Sequence, residues 1–332
     1  MRVNKTKKNN KCSFKNITRK RVLKEHILNK DFDLFNIHYK EPVKKDMAIG
    51  LVYFNSAKSK RLLMNFLYTI EKFKMANIPT YTIEMYMTTP EIKDAIHVKT
   101  DFILFQKERL CYILEKHIPE KYTKLLFIDA DLVFDNVDWY TDLSNKLNTT
   151  NIVQPFTNAL WLDITYKKIV KQRPSIVLYL KVGDINKYNH GGIWGYHPGF
   201  AWGFQRNWFR KCGFYQHGIL GDGDTLSATS WIDKSFHDSF LDKRPYQRNA
   251  LNDYVALLKV PPSVCYIKGN IYHLWHGDGK KRQYRERRTI FKSVKDIRDI
   301  VDVDPSGLFR LKDNSLKPRI MKYFRDRDDD GI

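Results

Sequence analysis

The chain has 332 residues, of which 42% are hydrophobic and 14% aromatic. That is enough to bury a sizeable core, which excludes a wholly disordered protein and fits one large domain or two small ones. A formal net charge of +21, from 58 Lys and Arg against 37 Asp and Glu, calls for an anionic partner: nucleic acid, an acidic membrane surface or a phosphorylated substrate.

Cys12, Cys111, Cys212 and Cys265 stand far apart and form no C-x-x-C pair. That argues against a zinc knuckle and a disulfide scaffold, and for thiols in a reducing compartment. No apolar run is long enough to span a bilayer, and the basic N-terminus lacks the apolar segment of a signal peptide. The expected setting is the cytoplasm or an equivalent reducing space.

Residues 1–45 are rich in Lys, Arg and Asn, and are expected to form a basic arm, partly disordered or helical. The globular pattern starts at Asp46. Residues 47–54 read as a buried strand, and Ser59 opens a helix carrying Leu62, Leu63, Phe66, Leu67, Ile70 and Phe73. Strands are expected at 80–85, 102–105 and 124–129, with a helix over 107–117. This alternation predicts an α/β sheet with helices on its faces. Beyond residue 135 the spacing predicts a helix near 137–147, a strand near 151–156 and a long loop over 183–199. A strand at 200–204, a helix over 206–212 stopped by Gly213, and a helix at 246–259 follow. Strands at 263–267 and 271–275 and a basic helix over 280–298 complete the reading.

Four segments carry the chemistry. The apolar run Leu125-Leu126-Phe127-Ile128 ends in Asp129-Ala130-Asp131. In an extended chain, residues two apart face one side. Both carboxylates can then enter the crevice at a strand's carboxyl end, where a hard divalent cation relieves their repulsion. In Gly221-Asp222-Gly223-Asp224, glycines let the backbone approach a ligand, one Asp can act as general base and the other can bind acceptor hydroxyls. His273 and His276 offer imidazole ligands, but three-residue spacing on a strand turns them opposite ways, so one of them is expected to bind metal. Trp202 offers a flat face for a sugar ring. The basic stretch from Lys280 to Arg288 can neutralise phosphates.

Taken together, these blocks resemble glycosyltransferases of the GT-A fold, over roughly residues 46–290. They are similar to glycosyltransferase-like proteins of phages and large DNA viruses, which would put the chain in a host cytoplasm. The resemblance implies an α/β mixed sheet flanked by helices, with a Rossmann-like nucleotide-binding half and an acceptor-binding half. It divides residues 46–332 into a nucleotide-sugar half (46–135), an acceptor and catalytic half (136–300) and a C-terminal extension (301–332). It implies donor contacts from Phe54, Asn55, Arg61, Lys107, Asp129 and Asp131, and metal ligands from Asp129, Asp131, His273 and His276. Catalysis falls to Asp224 or Asp222, with Asp224 preferred because Thr225-Leu226 continue into a helix. Trp202, Asp222 and Arg206 would meet the acceptor.

The expected activity is Mn²⁺- or Mg²⁺-dependent transfer from a nucleotide sugar, a UDP-sugar first, to a glycan or other hydroxyl acceptor, with inversion. Nucleic acid is not the expected partner, and oligomeric state is open. Two other readings stay in view. One is a metal-dependent phosphohydrolase or nuclease. The other is a non-catalytic nucleic-acid-binding protein, whose binding would tolerate loss of Asp129 and Asp131.

Overall fold

The uninterrupted apolar runs decide where the sheet centre lies. In a computed structural model describing residues 33–182, 195–277, 286–312, 314–326 and 330, β1 (Met47–Tyr53) is buried at every position. A strand covered on both faces requires this. Helix α1 (Lys60–Met75) starts where the Ser59 side chain accepts the Leu62 N–H, and it buries Phe66, Thr69 and Phe73. Strands β2 (Thr80–Tyr86) and β3 (Ile96–Lys99) continue the sheet in parallel. Helix α2 (Lys107–Glu115) precedes β4 (Lys124–Ile128), which pairs in parallel on the other side of β1.

The chain then leaves this sheet for β5 (Leu132–Phe134), α3 (Trp139–Leu147) and β6 (Ile152–Gln154). A hairpin of β7 (Asn158–Leu162) and β8 (Ile169–Pro174) leads to α4 (Ile176–Val182). Next come β9 (Ala201–Gln205), α5 (Arg206–Lys211), α6 (Gly223–Ile232), α7 (His237–Leu241) and α8 (Arg248–Leu257). The described chain ends with β10 (Val264–Tyr266), β11 (Asn270–His273), the pair β12 (Val301–Val303) and β13 (Phe309–Leu311), and α9 (Lys317–Arg325).

The main sheet has the order β10-β6-β9-β4-β1-β2-β3, with β9 antiparallel to both its neighbours. A second sheet has the order β5-β11-β7-β8. The fold class is therefore α/β, a mixed sheet flanked by helices, as expected. No helix among the described residues is long and apolar enough to cross a membrane. Cys111, Cys212 and Cys265 are free thiols.

Several local expectations change. Residues 102–105 form no strand: Phe105 makes one isolated bridge to Leu220, and the edge strand is 96–99 instead. The basic stretch 280–298 is not one helix where it is described; Glu286–Phe291 and Ile297–Ile300 are short 3-10 turns. Residues 183–194 of the long loop and 278–285 of the basic stretch lie outside the described residues. So do residues 1–32 of the arm, whereas 34–45 pack on the body. There the Tyr39 hydroxyl accepts the Phe134 N–H at 2.9 Å, and Lys72 donates to the Ile37 carbonyl at 2.7 Å.

Arg206 is not an acceptor residue. It follows the end of β9 where Gln205 pairs with Lys124, at the opposite end of the sheet from Asp129. Its buried guanidinium binds Glu115 at 2.6 Å and the carbonyls of Glu115, Ile118, Pro119 and Tyr122, closing the C-terminal end of α2. Arg206→Ala leaves those groups buried and unpaired, so a stability loss of about 3–5 kcal/mol is expected in urea unfolding. A loss near zero would mean that water replaces the side chain.

Candidate active site

Open α/β sheets bind ligands beyond the carboxyl ends of their parallel strands. Here β1 and β4 finish side by side, with Leu51 opposite Ile128, and β9 begins opposite them at Ala201. Asp129 is the first residue past β4, and its N–H donates to the Phe200 carbonyl at 2.8 Å.

The two aspartates of the D-x-D run are sent to different partners, because the chain changes sheet between them. Asp129 accepts a hydrogen bond from Lys107 Nζ at 2.9 Å. Asp131 stands one residue before β5, in the second sheet, where its carbonyl accepts the Leu274 N–H at 2.9 Å. Pairing of β5 with β11 places His273 opposite Leu132 and so beside Asp131. Beyond His273 the strand ends, and His276 turns back. The Nε2 atoms of His276 and His273 lie 2.8 and 3.4 Å from Asp131 Oδ2, and 3.2 Å from each other.

Both histidines therefore converge on one carboxylate. The expectation that strand spacing turns them opposite ways fails because β11 ends at His273. One ligand atom from each of Asp131, His273 and His276 lies within 4.8 Å of the others. Donors about 2.1 Å from one divalent ion sit roughly 3 Å apart, so two imidazole nitrogens and a carboxylate oxygen fit such an ion. Asp129 is not in this group.

Aromatic packing holds the histidines in place. Phe200 stacks on His273 with centroids 5.0 Å apart and an interplanar angle of 12°. It does so from a left-handed backbone, φ 76°, which costs a non-glycine residue free energy. His197 lies against Phe200 at 3.8 Å and Trp161 at 5.0 Å. Burial, helped by His273 and nearby cations, keeps the His197 ring well below the usual histidine range and therefore neutral.

The other wall is electrostatic. Burial pulls Lys107 down, but Asp129, Asp224 and Glu108 outweigh it and hold the ammonium protonated. Burial pushes the Asp129 carboxyl up, Lys107 offsets part of this, and Asp131 adds to it. Glu108, missed in the sequence reading, is buried at 1% exposure against Gly223, where an added Cβ would come within 2.5 Å of its carboxyl carbon. Its Oε2 finds no hydrogen-bond partner among the described residues. Burial raises its carboxyl to about 7, with Lys107 opposing and Asp224 and Asp129 reinforcing.

A raised carboxyl stabilises the fold below its unfolded value and loses that contribution as pH rises through 7. Glu108→Gln should therefore match the parent near pH 4 and exceed its stability by about 3 kcal/mol near pH 9. Thermal unfolding across that range tests it; a constant difference would place the titration elsewhere.

Asp224 lies in the first turn of α6, and its carboxylate rests against Gly199. A Cβ on Gly199 would fall 2.1 Å from Asp224 Oδ2, so a side chain there would displace the carboxylate. Asp222, by contrast, turns away. Its left-handed backbone, φ 76°, aims its carboxylate at Arg244 (2.8 Å) and Arg287 (3.1 Å), with Arg288 at 3.9 Å. Burial would raise this carboxyl, but the arginines hold it at about 2. An acid so engaged is neither a proton acceptor near neutral pH nor open to a hydroxyl, which removes Asp222 from the catalytic and acceptor sets.

The remaining expected residues divide. Arg61 reaches the site's rim, its guanidinium 5.3 Å from the Trp275 ring and 3.2 Å from the Tyr166 hydroxyl. Tyr166 sits in the β7–β8 turn, which no sequence motif marked. Phe54 closes the end of β1 and packs edge-on against Phe105. Asn55 is spent on local structure: it accepts the Ser59 N–H and donates to the Tyr53 hydroxyl, the Ser59 carbonyl and Glu91. Trp202 is 2% exposed and donates to the Pro198 carbonyl, so it is a core side chain with no free face for a sugar.

No protein-family model matches the chain, and no curated protein sequence matches it either. Solved structures align with it at low similarity. A Drosophila β1,4-galactosyltransferase 7 in complex with manganese, UDP-Gal and xylobiose aligns at TM-score 0.33 and 12% identity, over 57% of this chain and 62% of that one. The chain thus spans less than two thirds of that structure's length. Glucosyl-3-phosphoglycerate synthase from Mycobacterium tuberculosis, with Mn²⁺, UDP and phosphoglyceric acid, aligns at TM-score 0.35 and 10% identity, covering 69% and 70%. A 4-diphosphocytidyl-2C-methyl-D-erythritol synthase from Anaerococcus prevotii aligns at TM-score 0.31 and 9% identity, covering 85% and 99%. Likeness this distant assigns no activity, so the functional reading rests on the site's own geometry.

Proposed function

We propose that the protein is a metal-dependent glycosyltransferase that moves a sugar from a nucleotide sugar, a UDP-sugar first, to a hydroxyl acceptor. The observation that carries this reading is the convergence of Asp131, His273 and His276 beside the Asp129–Lys107 pair, at the carboxyl edge of the sheet. Asp131, His273 and His276 would hold Mn²⁺ or Mg²⁺, whose contribution is Lewis-acid stabilisation of a departing diphosphate.

The chain's own groups supply the rest. Lys107 stays protonated and sets a positive charge at the base of the crevice. Asp129, fixed by Lys107, is placed to take the donor's ribose or a water. Arg61, held by Tyr166 and Trp275, faces the donor's phosphates from the rim, and Phe54 closes the nucleotide end. Asp224 accepts the proton of the attacking hydroxyl, which implies inversion at the anomeric carbon. The division into a nucleotide half (46–135), an acceptor half (136–300) and an extension (301–332) belongs to the same proposal.

Calorimetric titration with UDP and a panel of UDP-sugars, with Mn²⁺ and then with EDTA, tests it. Binding that needs Mn²⁺ and favours one sugar supports transfer and names the donor. A His-His-Asp set also suits metal-assisted hydrolysis. Metal-dependent cleavage of nucleotides with no sugar preference would replace the transferase reading with that one.

A further inference from the structure

A polar side chain buried on a helix face is costly unless its hydrogen bonds are made. Helix α1 carries two such residues one turn apart, Asn65 at 1% exposure and Thr69 at 0%, so both look inward from one face. Their bonds go to the two backbone segments that carry the proposed metal ligands. Asn65 Nδ2 donates to the Trp275 carbonyl at 3.1 Å, in the peptide unit that leads directly into His276. Thr69 Oγ1 donates to the Leu132 carbonyl at 3.3 Å, one residue beyond Asp131.

A third piece of chain closes on the same amide. Tyr166, in the β7–β8 turn, donates its hydroxyl to Asn65 Oδ1 at 2.7 Å and lies 3.4 Å from the Trp275 carbonyl. Both ends of the Asn65 amide are thus engaged, which fixes its orientation. Tyr166 holds this place from a left-handed backbone, φ 60°, which is unfavourable for a bulky residue and persists where surrounding contacts impose it. The same hydroxyl accepts Arg61 Nη1 at 3.2 Å, so the arginine at the rim rests on it too. His276 lies past the end of β11, outside the ladder that fixes His273, and contacts of this kind place its backbone instead of strand pairing.

We propose that Asn65 is a positioning residue for the metal centre, supported by Tyr166 and Thr69. Through them α1 holds the Trp275–His276 turn at the separation from Asp131 that one cation requires. This rests on the proposed metal centre and not on sugar transfer. Ligand atoms must fall within about 0.2 Å of their bonding distance, so a small drift of the turn is enough to weaken binding although every ligand is still present. None of the three residues touches the ion in this arrangement; each acts through the backbone next to a ligand.

The test is calorimetric titration with Mn²⁺, without nucleotide, on the full chain and on Asn65→Ala, Tyr166→Phe, Thr69→Val and Thr69→Ser, with urea unfolding of each in EDTA alongside. Asn65→Ala should weaken Mn²⁺ binding about tenfold or more, the usual cost of losing a group that orients a ligand. Tyr166→Phe and Thr69→Val lose one hydroxyl and keep their shape, and should weaken it a few fold. Thr69→Ser keeps the hydroxyl and should stay near the parent. Asn65→Ala and Tyr166→Phe combined should weaken binding by less than the product of their single effects, since both act through one amide. A merely structural role would lower the unfolding free energy in EDTA and leave the Mn²⁺ affinity of folded Asn65→Ala unchanged, and that result overturns the inference. If Asn65→Ala does not fold, unchanged Mn²⁺ affinity in both Tyr166→Phe and Thr69→Val overturns it instead. A parent that binds no Mn²⁺ overturns it together with the metal centre. Weakened Mn²⁺ binding by Asn65→Ala in a protein that binds no nucleotide sugar supports it and removes only the transfer reading.

Discussion

Asp131→Ala should abolish Mn²⁺ binding, by about a hundredfold or more, and with it any metal-dependent donor binding. Asp131 Oδ2 is the atom on which both His276 and His273 converge. Without it, two imidazoles remain, with no carboxylate charge to offset the cost of stripping water from a divalent ion. Calorimetric titration with Mn²⁺ reads the effect directly. Asp129→Ala is the informative companion: since Asp129 is tied to Lys107, its loss should leave Mn²⁺ affinity within a few fold while weakening the donor. Unchanged Mn²⁺ affinity in Asp131→Ala would remove the metal centre from its assigned place.

The second large effect belongs to Asp224. Asp224→Asn keeps the shape of the side chain and its contact with Gly199, but cannot take a proton. Donor and Mn²⁺ affinities should stay near the parent values, while the turnover rate falls about 10²–10⁴-fold, the usual worth of a positioned general base. A near-parent rate would place the base elsewhere or point to retention through another residue. Asp222→Asn should behave differently. It releases buried arginines from their carboxylate, so its main effect should appear as lost stability.

The sheet was legible because its centre is built from runs with no polar interruption. Met47–Tyr53 and Lys124–Ile128 admit few other readings, and both are buried throughout. The edge strand Ile96–Lys99 was not legible, since it alternates and buries only Val98, whereas the apolar 102–105 run is held as a loop. The hairpin of β7 and β8 was missed for a related reason: β8, Ile169–Pro174, has only Ile169 and Val170 as strand-forming apolar residues and takes its structure from pairing with β7.

At the site, the reactive residue types were visible and their grouping was not. D-x-D suggested one pair of carboxylates, but a change of sheet between Asp129 and Asp131 separates their partners. No local spacing reveals such a change. His276 joined His273 because the strand stops between them, and element ends are what periodicity marks least well. Gly221-Asp222-Gly223-Asp224 offered two similar acids, and only the arginines from 244 and 287, distant in sequence, tell them apart. Neither Glu108 nor Phe200 was given a role from the sequence; their significance comes from burial and from neighbours brought in by the fold.

The proposed metal ligands, Asp131 and the two histidines, lie far apart in sequence and are brought together by the pairing of β5 with β11. An unfolded chain would present Asp131 far from the two histidines, so a cation recognises the folded state almost alone. Thermodynamic linkage then makes metal a fastening between the segments: at 100 times its dissociation constant it adds about 2.7 kcal/mol to the unfolding free energy. Concentration of metal would thereby set how long the second sheet survives proteolysis, independently of whether any sugar is ever transferred.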